Sequence, residues 1–475
     1  MGDSISAAMC AAGRTLGDPR LSPRGDRVAF VANGAGGAVL MLVALEVGGA
    51  AAPEVALTSA PPLRSTAASG RGGFDWAPDG ASVVYAGTDG TLYEQSAAGG
   101  PPRAVPGTEQ AGCPAVSPDG TRVAYSVDDE HIVVAWLDGR RPPEQVSGEA
   151  DFCLDPAWSP DSGRLAWHEW DVPNMPWDES RIALREIGGG SAPGHVGYVP
   201  LEAGVAVGSP RFSPDRSRLG FLCDATGWLN LWAAQADGAD PRPVLDEPAE
   251  HGGPTWGGGA RSWAWSPDAT KIAFCRNENA FGRLSLLDCA SGDVSSSAKG
   301  VHHSLSWAGR RLAALRSGPR VPDQVVVGGA TGTRFESVAR GPVAGFGGPD
   351  AAEPQPVTWA GQDVAGVGRQ VHGRLWRASP SVERWARSPS PLAPLLLWVH
   401  GGPTDQHRVA FNPRLAFFLA RGWNVLQVDP RGSTGWGRAY AQALRGRFGE
   451  LDVEELASAV AAAKAEGWGD PSRMA

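Results

Sequence analysis

Polar turns followed by alternating apolar positions recur along the first two thirds of the chain. LSPRGDRVAF begins at Leu21, WAPDGASVVY at Trp76, VSPDGTRVAY at Val116, WSPDSGRLAW at Trp158, FSPDRSRLGF at Phe212 and WSPDATKIAF at Trp265, with a worn copy, SWAGRRLAAL, around Trp307. Successive landmarks lie 40 to 55 residues apart, which is the period of a propeller blade. Ser-Pro-Asp-Gly suits a type I turn, because proline presets φ at the second position and glycine is favoured at the fourth. The residues after it, such as Val123, Ala124 and Tyr125, predict a strand with an aromatic end. Runs such as GTLYEQSAAGG and WLNLWAAQADG fill each interval to four short strands. A lone sheet of this kind exposes both faces, so the sheets pack on one another around an axis.

Seven units predict seven blades over 19–345 after a short N-terminal segment, 1–18, with eight blades as the alternative. The eighth candidate, TWAGQDVAGV around Trp359, lacks the Ser-Pro-Asp turn. With VHGRLWRASP it reads as the leading hairpin of the next domain. After Pro349 the pattern changes. PLLLWVHGGP is a nearly continuous apolar run, as expected of a strand buried on both faces of a parallel sheet. NPRLAFFLARG has helical spacing and a glycine stop, and WNVLQVDPRGSTGWG supplies a second buried strand and a glycine-rich loop. ELDVEELASAVAAAKAEG has acids near its start and Lys464 near its end, matching the helix dipole. Strand, helix, strand, helix implies a doubly wound sheet, and the final RMA looks like the start of a further strand.

Composition narrows the function classes. Gly 64 and Pro 40 fit many turns, while 42% hydrophobic residues and 19 Trp are enough to build cores. The net charge of −9 comes from interspersed acids and bases, so no basic stripe offers phosphates a footprint and nucleic acid is not an expected partner. Cys10, Cys113, Cys153, Cys223, Cys275 and Cys289 are far apart and form no CxxC pair. They read as reduced thiols of a cytoplasmic protein, neither a disulfide framework nor a zinc site. No apolar run reaches membrane-helix length, and Gly2 and Ser6 match the myristoylation pattern only in its short, frequent form. The expectation is therefore a protein without a membrane anchor. No Walker, dinucleotide-fold or HExxH pattern occurs, so no cofactor or metal is inferred.

The propeller repeats resemble the TolB-like propellers. With VHGGP, RGSTGWGRAY, RFGELDVEEL and DPSRMA following in that order, the chain resembles the prolyl oligopeptidase family of serine peptidases, closest to its acylaminoacyl-peptidase and dipeptidyl-aminopeptidase-like branch. The segments PNMPWDES and GWLNLW also look like that branch. The resemblance implies that 346–475 is the N-terminal half of an α/β-hydrolase catalytic domain. It also implies that the Gly-x-Ser-x-Gly elbow and the triad Ser, Asp and His fall beyond Ala475. The chain as given is then expected to be an inactive fragment, an incomplete record or a truncated product of a peptidase that cleaves short peptides through an acyl-enzyme. Catalytically dead propeller binding modules are the alternative, and an esterase is a third reading disfavoured by the propeller. By the same resemblance Gly402 supplies one backbone oxyanion donor and Gly401 allows close approach. Specificity and oligomeric state are not legible, although the family's edge-strand and propeller contacts make a homo-oligomer an option.

Other residues have plainer readings. His302 and His303 are neighbours on a strand, point to opposite faces and read as a solvated turn or strand edge rather than a metal site. Glu169, Asp171, Asp178 and Glu179 could receive a peptide amine but read as surface charge. Ser433 in RGSTG lacks the elbow spacing and is not expected to be the nucleophile, and Arg431 and Gly432 read as loop structure.

Overall fold

A computed structural model of the protein describes residues 5–11, 13–45, 52–58, 60–64, 73–188, 194–254, 257–329, 334–341, 353–378, 391–402 and 404–475. Gly2, Pro349, Pro403 and the expected 345/346 boundary lie outside them. Among the described residues, seven four-stranded antiparallel sheets follow one another, each with its strands paired in sequence order. Their first strands are β1 (Thr15–Leu21), β2 (Phe74–Trp76), β3 (Ala111–Val116), β4 (Phe152–Trp158), β5 (Val207–Phe212), β6 (Trp263–Trp265) and β7 (Val301–Ala308).

The repeat turn forms as its residues require. Gly120 N–H donates to Ser117 O at 2.8 Å, closing the turn. The Ser117 hydroxyl donates to Asp119 at 2.6 Å and accepts from Arg122 N–H at 2.9 Å, fixing where the second strand starts. Ser159, Ser213 and Ser266 accept the equivalent N–H bonds at 2.8 to 2.9 Å. Thus Ser, Pro and Asp recur because each turn satisfies its own polar groups locally.

The tryptophans of the repeat tie neighbouring sheets together. Trp76 Nε1–H donates to Arg20 O of the first sheet at 3.0 Å, Trp158 to Ala115 O of the third at 2.9 Å, and Trp265 to Arg211 O of the fifth at 3.2 Å. The first sheet also meets the last. Leu21 N–H donates to Ser306 Oγ at 3.0 Å, and Leu16, Val28 and Phe30 share a core with Leu315 and Val325. This arrangement fits a β-propeller.

The remaining sheet contains β8 (Gln355–Val364), β9 (Gly368–Trp376), β10 (Leu395–Val399) and β11 (Asn424–Asp429), in the order β8-β9-β11-β10. The hairpin around Trp359 is β8–β9, and it joins this sheet rather than a propeller sheet. β10 and β11 are parallel, as the apolar runs predict. Met474 bridges Leu395 in parallel and Ala475 N–H donates to Leu395 O at 3.0 Å, so the final residues do run beside β10. Besides α1 (Ala7–Ala11), the helices among the described residues are α2 (Pro413–Leu419), α3 (Arg438–Gln442) and α4 (Leu451–Ala465). Asn412 caps α2 by accepting from Arg414 and Leu415 N–H. α4 covers one face of the sheet through Ala459 and Ala463, packed with Leu426 and Val428. α2 covers the other through Leu415 and Leu419, packed with Trp376 and Val425. Among the described residues no helix is long and apolar enough to cross a membrane.

Trp158→Phe keeps most of the buried ring but leaves Ala115 O without its donor. It is expected to cost about 1 to 3 kcal/mol of stability, read as a lower midpoint in chemical denaturation. An unchanged midpoint would show that the tryptophan bond does not hold the third and fourth sheets together.

Candidate active site

Two loops leave the carboxyl ends of the parallel pair β10 and β11, where open α/β sheets place their sites. The first is His400-Gly401-Gly402, and Gly402 is exposed with φ 122°, a conformation that favours glycine. His400 Nδ1 lies 2.9 Å from Gly401 O, and its Nε2 lies 2.7 Å from Ser433 Oγ in the second loop. Ser433 Oγ is in turn 2.6 Å from Pro430 O. The Ser433 side chain is fully buried, so it pins the two loops together and has no surface on which to meet a substrate.

Asp429 ends β11 at the centre of a buried polar group. Arg374 of β9 donates to both its oxygens, at 2.5 and 2.6 Å, while Gln406 Nε2 and Trp436 Nε1 each donate at 3.0 Å. Burial raises the Asp429 carboxyl, but the Arg374 charge and these hydrogen bonds outweigh it and hold the group below the usual carboxylate range. Tyr440 Oη–H donates to Asp429 O at 2.7 Å, and His372 stacks on Trp436 with ring centres 3.6 Å apart. Arg431 is fully buried against Glu455, which also accepts the Arg431 N–H at 2.7 Å. Arg431 thus shapes the loop, as its sequence context suggests.

Both loops are also gripped by the propeller. Asn277 of the sixth sheet donates to Gln406 Oε1 at 2.8 Å. The buried Glu250 carboxylate accepts the Gly435 and Gly437 N–H groups. A Cβ on Gly435 would come within 2.5 Å of the Gln406 amide, which explains the glycine there. Arg438 pairs with Asp224 and donates to Gly204 O and, at 2.9 Å, to Asp178 O. Nothing in the motif around Glu250 marks it as a partner of residues more than 180 positions away.

The other sequence candidates separate. Glu169 is 1% exposed, so the surface-charge reading fails for it; it pairs with Arg181 at 2.8 Å, and Asp171 shares that guanidinium at 2.5 Å. Asp178 accepts from Gln442 at 3.2 Å and Glu179 from Gly204 N–H at 3.0 Å, so both brace loops at the boundary with the α/β part. His302 is buried, not solvated, whereas His303 on the opposite face is exposed. Burial pushes the His302 imidazole down to about 4. Among the described residues no three His, Cys, Asp or Glu side chains converge as metal ligands would.

Burial pushes the Glu250 carboxyl from 4.5 up to about 7, against the two glycine N–H groups and the Arg408 charge, which pull it down. The folded protein therefore keeps a proton that the unfolded chain releases above 4.5. The stability this supplies is complete below 4.5 and is lost as pH rises through about 7, a change of roughly 3 kcal/mol. Chemical denaturation across this range should show that decline, and Glu250→Gln should flatten it. A Glu250→Gln protein with an unaltered pH dependence would remove Glu250 as its source.

The model of the prolyl oligopeptidase family matches residues 409–475. An uncharacterized peptidase of Bacillus subtilis, YuxL, is 31% identical over 99 residues, which are 20% of this chain and 15% of that protein. The acylamino-acid-releasing enzyme of Sus scrofa is 26% identical over 386 residues, covering 75% of this chain and 50% of the enzyme. The chain thus spans half or less of the length of these curated relatives. The solved structure of a puromycin-hydrolyzing peptidase of Mycobacterium tuberculosis superposes on 99% of this chain and 74% of its own, with a TM-score of 0.85 and 26% identity. With the two loops at the carboxyl ends of β10 and β11 and the propeller set against them, these matches agree: residues 409–475 carry the prolyl oligopeptidase family pattern, and the chain as a whole is similar in fold to a peptidase built of a propeller and a hydrolase domain.

Proposed function

We propose that the protein hydrolyses short peptides through a serine acyl-enzyme. Its residues 19–345 form a seven-bladed propeller, and 346–475 the leading half of an α/β-hydrolase domain. The observation that carries this reading is the likeness of the whole chain to a puromycin-hydrolyzing peptidase, with the exposed Gly402 loop in place at the end of β10. In this reading the Gly402 N–H stabilises the developing oxyanion, and Gly401, with no side chain, lets the substrate carbonyl approach. The His400 contacts to Gly401 O and Ser433 fix the peptide plane from which that N–H projects. The propeller restricts access to short or extended peptides. Six unpaired cysteines support a reducing, cytoplasmic setting.

The nucleophile is assigned to a Gly-x-Ser-x-Gly elbow following Ala475, with the aspartate and histidine after it. Labelling the native gene product with a fluorophosphonate tests this, together with its intact mass. A labelled product heavier than 49.4 kDa is expected, and an unlabelled one of that mass would overturn the reading. In the labelled enzyme, Gly402→Ala strains a backbone with φ 122°. It should lower kcat by about 100-fold with little change in KM. An unchanged kcat would move the oxyanion donor elsewhere.

A further inference from the structure

Five of the seven first strands of the propeller sheets are interrupted at the same place. β1, β3, β4, β5 and β7 each shift register against the next strand. The residue at each shift has a positive φ: Asp18 43°, Cys113 48°, Asp155 55°, Ser209 53° and Ser304 54°. Such bulges re-aim side chains that a regular strand would send elsewhere. In four of the five, proline follows the bulged residue, so the sequence carries the device as Asp, Cys or Ser, then Pro, three positions ahead of Ser-Pro.

Beside the bulges of β1, β3, β4 and β5 lies a cavity of about 270 Å³, walled by residues of β1 to β5 and by the segment holding Gly259 and Arg261. None of its walls belongs to the α/β part. Two positions beyond the bulge, β1 and β5 carry Arg20 and Arg211, where β3 and β4 carry Ala115 and Ala157. The alanines leave the room that the arginines line. Three guanidiniums, Arg20, Arg211 and Arg261, face two carboxylates, Asp75 and Asp155.

The carboxylates are already engaged. Asp18, buried behind the wall, is shared by Arg20 and Arg261. Asp75 accepts from Arg20 at 2.9 Å and from Val116 N–H at 3.0 Å, and Asp155 accepts the Gly259 N–H. Arg211, by contrast, bonds main-chain carbonyls, Pro210 O at 2.6 Å and Ala260 O at 3.1 Å. Arg261 Nε is buried with no hydrogen-bond partner. Burial, then the neighbouring Arg20 and Arg211 charges, pull the Arg261 guanidinium down to about 10, against the pull of Asp18. Clustered, desolvated cations with spare planar donors call for an anion of matching shape, and a carboxylate fits the guanidinium fork.

We propose that the propeller cavity is a carboxylate-binding site, in which Arg211 and Arg261 hold either the C-terminal carboxylate of a short peptide or a small free carboxylate. The inference does not depend on the peptidase reading, because binding can be measured without turnover. Isothermal titration calorimetry of the whole chain would compare acetyl-trialanine as free acid, the same peptide as C-terminal amide, and sodium acetate, with sodium chloride as the ionic control. Arg211→Gln removes one fork, and Ala157→Leu fills the cavity with every charge in place, so one variant still reports if the other fails to fold. The free acid is expected to bind, with affinity falling about tenfold in the amide and in each folded variant. Acetate binding as tightly as the peptide acid would assign the site to small carboxylates, and tighter binding of the peptide acid would assign it to peptide ends. Equal affinity for acid and amide, unchanged affinity in the folded variants, or no binding of either carboxylate at millimolar concentration would overturn the proposal.

Discussion

The buried pairing of Asp429 with Arg374 is the constraint on which the α/β part depends. It joins the end of β11 to the last part of β9 in a place from which water is excluded, so neither charge can be solvated if the other is lost. The same carboxylate receives Gln406 from the loop after β10 and Trp436 from the loop after β11. Both loops of the candidate site are thus hung on one acid. Gln406 passes the link outward to Asn277 of the sixth sheet, which couples the propeller to this centre. Hydrogen bonds in such a network reinforce one another while every member is satisfied.

A division of labour follows between charged and neutral contacts at the boundary. Arg438 draws together Asp224 and two main-chain carbonyls, which fixes where α3 starts against the propeller. Glu250 instead accepts from the backbone of the glycine-rich loop itself. Because the grip is on N–H groups, it specifies the path of the chain and is indifferent to loop side chains.

Much of the propeller was legible because its chemistry is local. The Ser-Pro-Asp turn satisfies itself within about six residues, so its imprint recurs wherever a sheet begins its second strand. The hairpin around Trp359 was readable from what it lacks, the turn signature, and the two apolar strands from their length. Long-range polar pairs were not readable. Arg374 and Asp429 are 55 positions apart with no motif to link them, and Glu169 looked like surface charge until Arg181 and the packed strand were seen to cover it. His302 was misread for a related reason: strand alternation correctly separates it from His303, but it does not say which face is wet. Four of the five bulges were present in the sequence as a proline ahead of the turn, yet only the cavity beside them gives that proline a meaning.

The bond between Leu21 and Ser306 spans 285 positions, so the first sheet has no neighbour on one side until the seventh has been made. At usual elongation speeds that is a wait of about 15 to 60 s. For that interval the flank of β1 that packs on the seventh sheet lacks that cover, while the intervening sheets emerge from the ribosome in order. The nascent propeller is therefore most vulnerable at its first sheet, and a chaperone arriving during synthesis has its target there rather than at the growing tip.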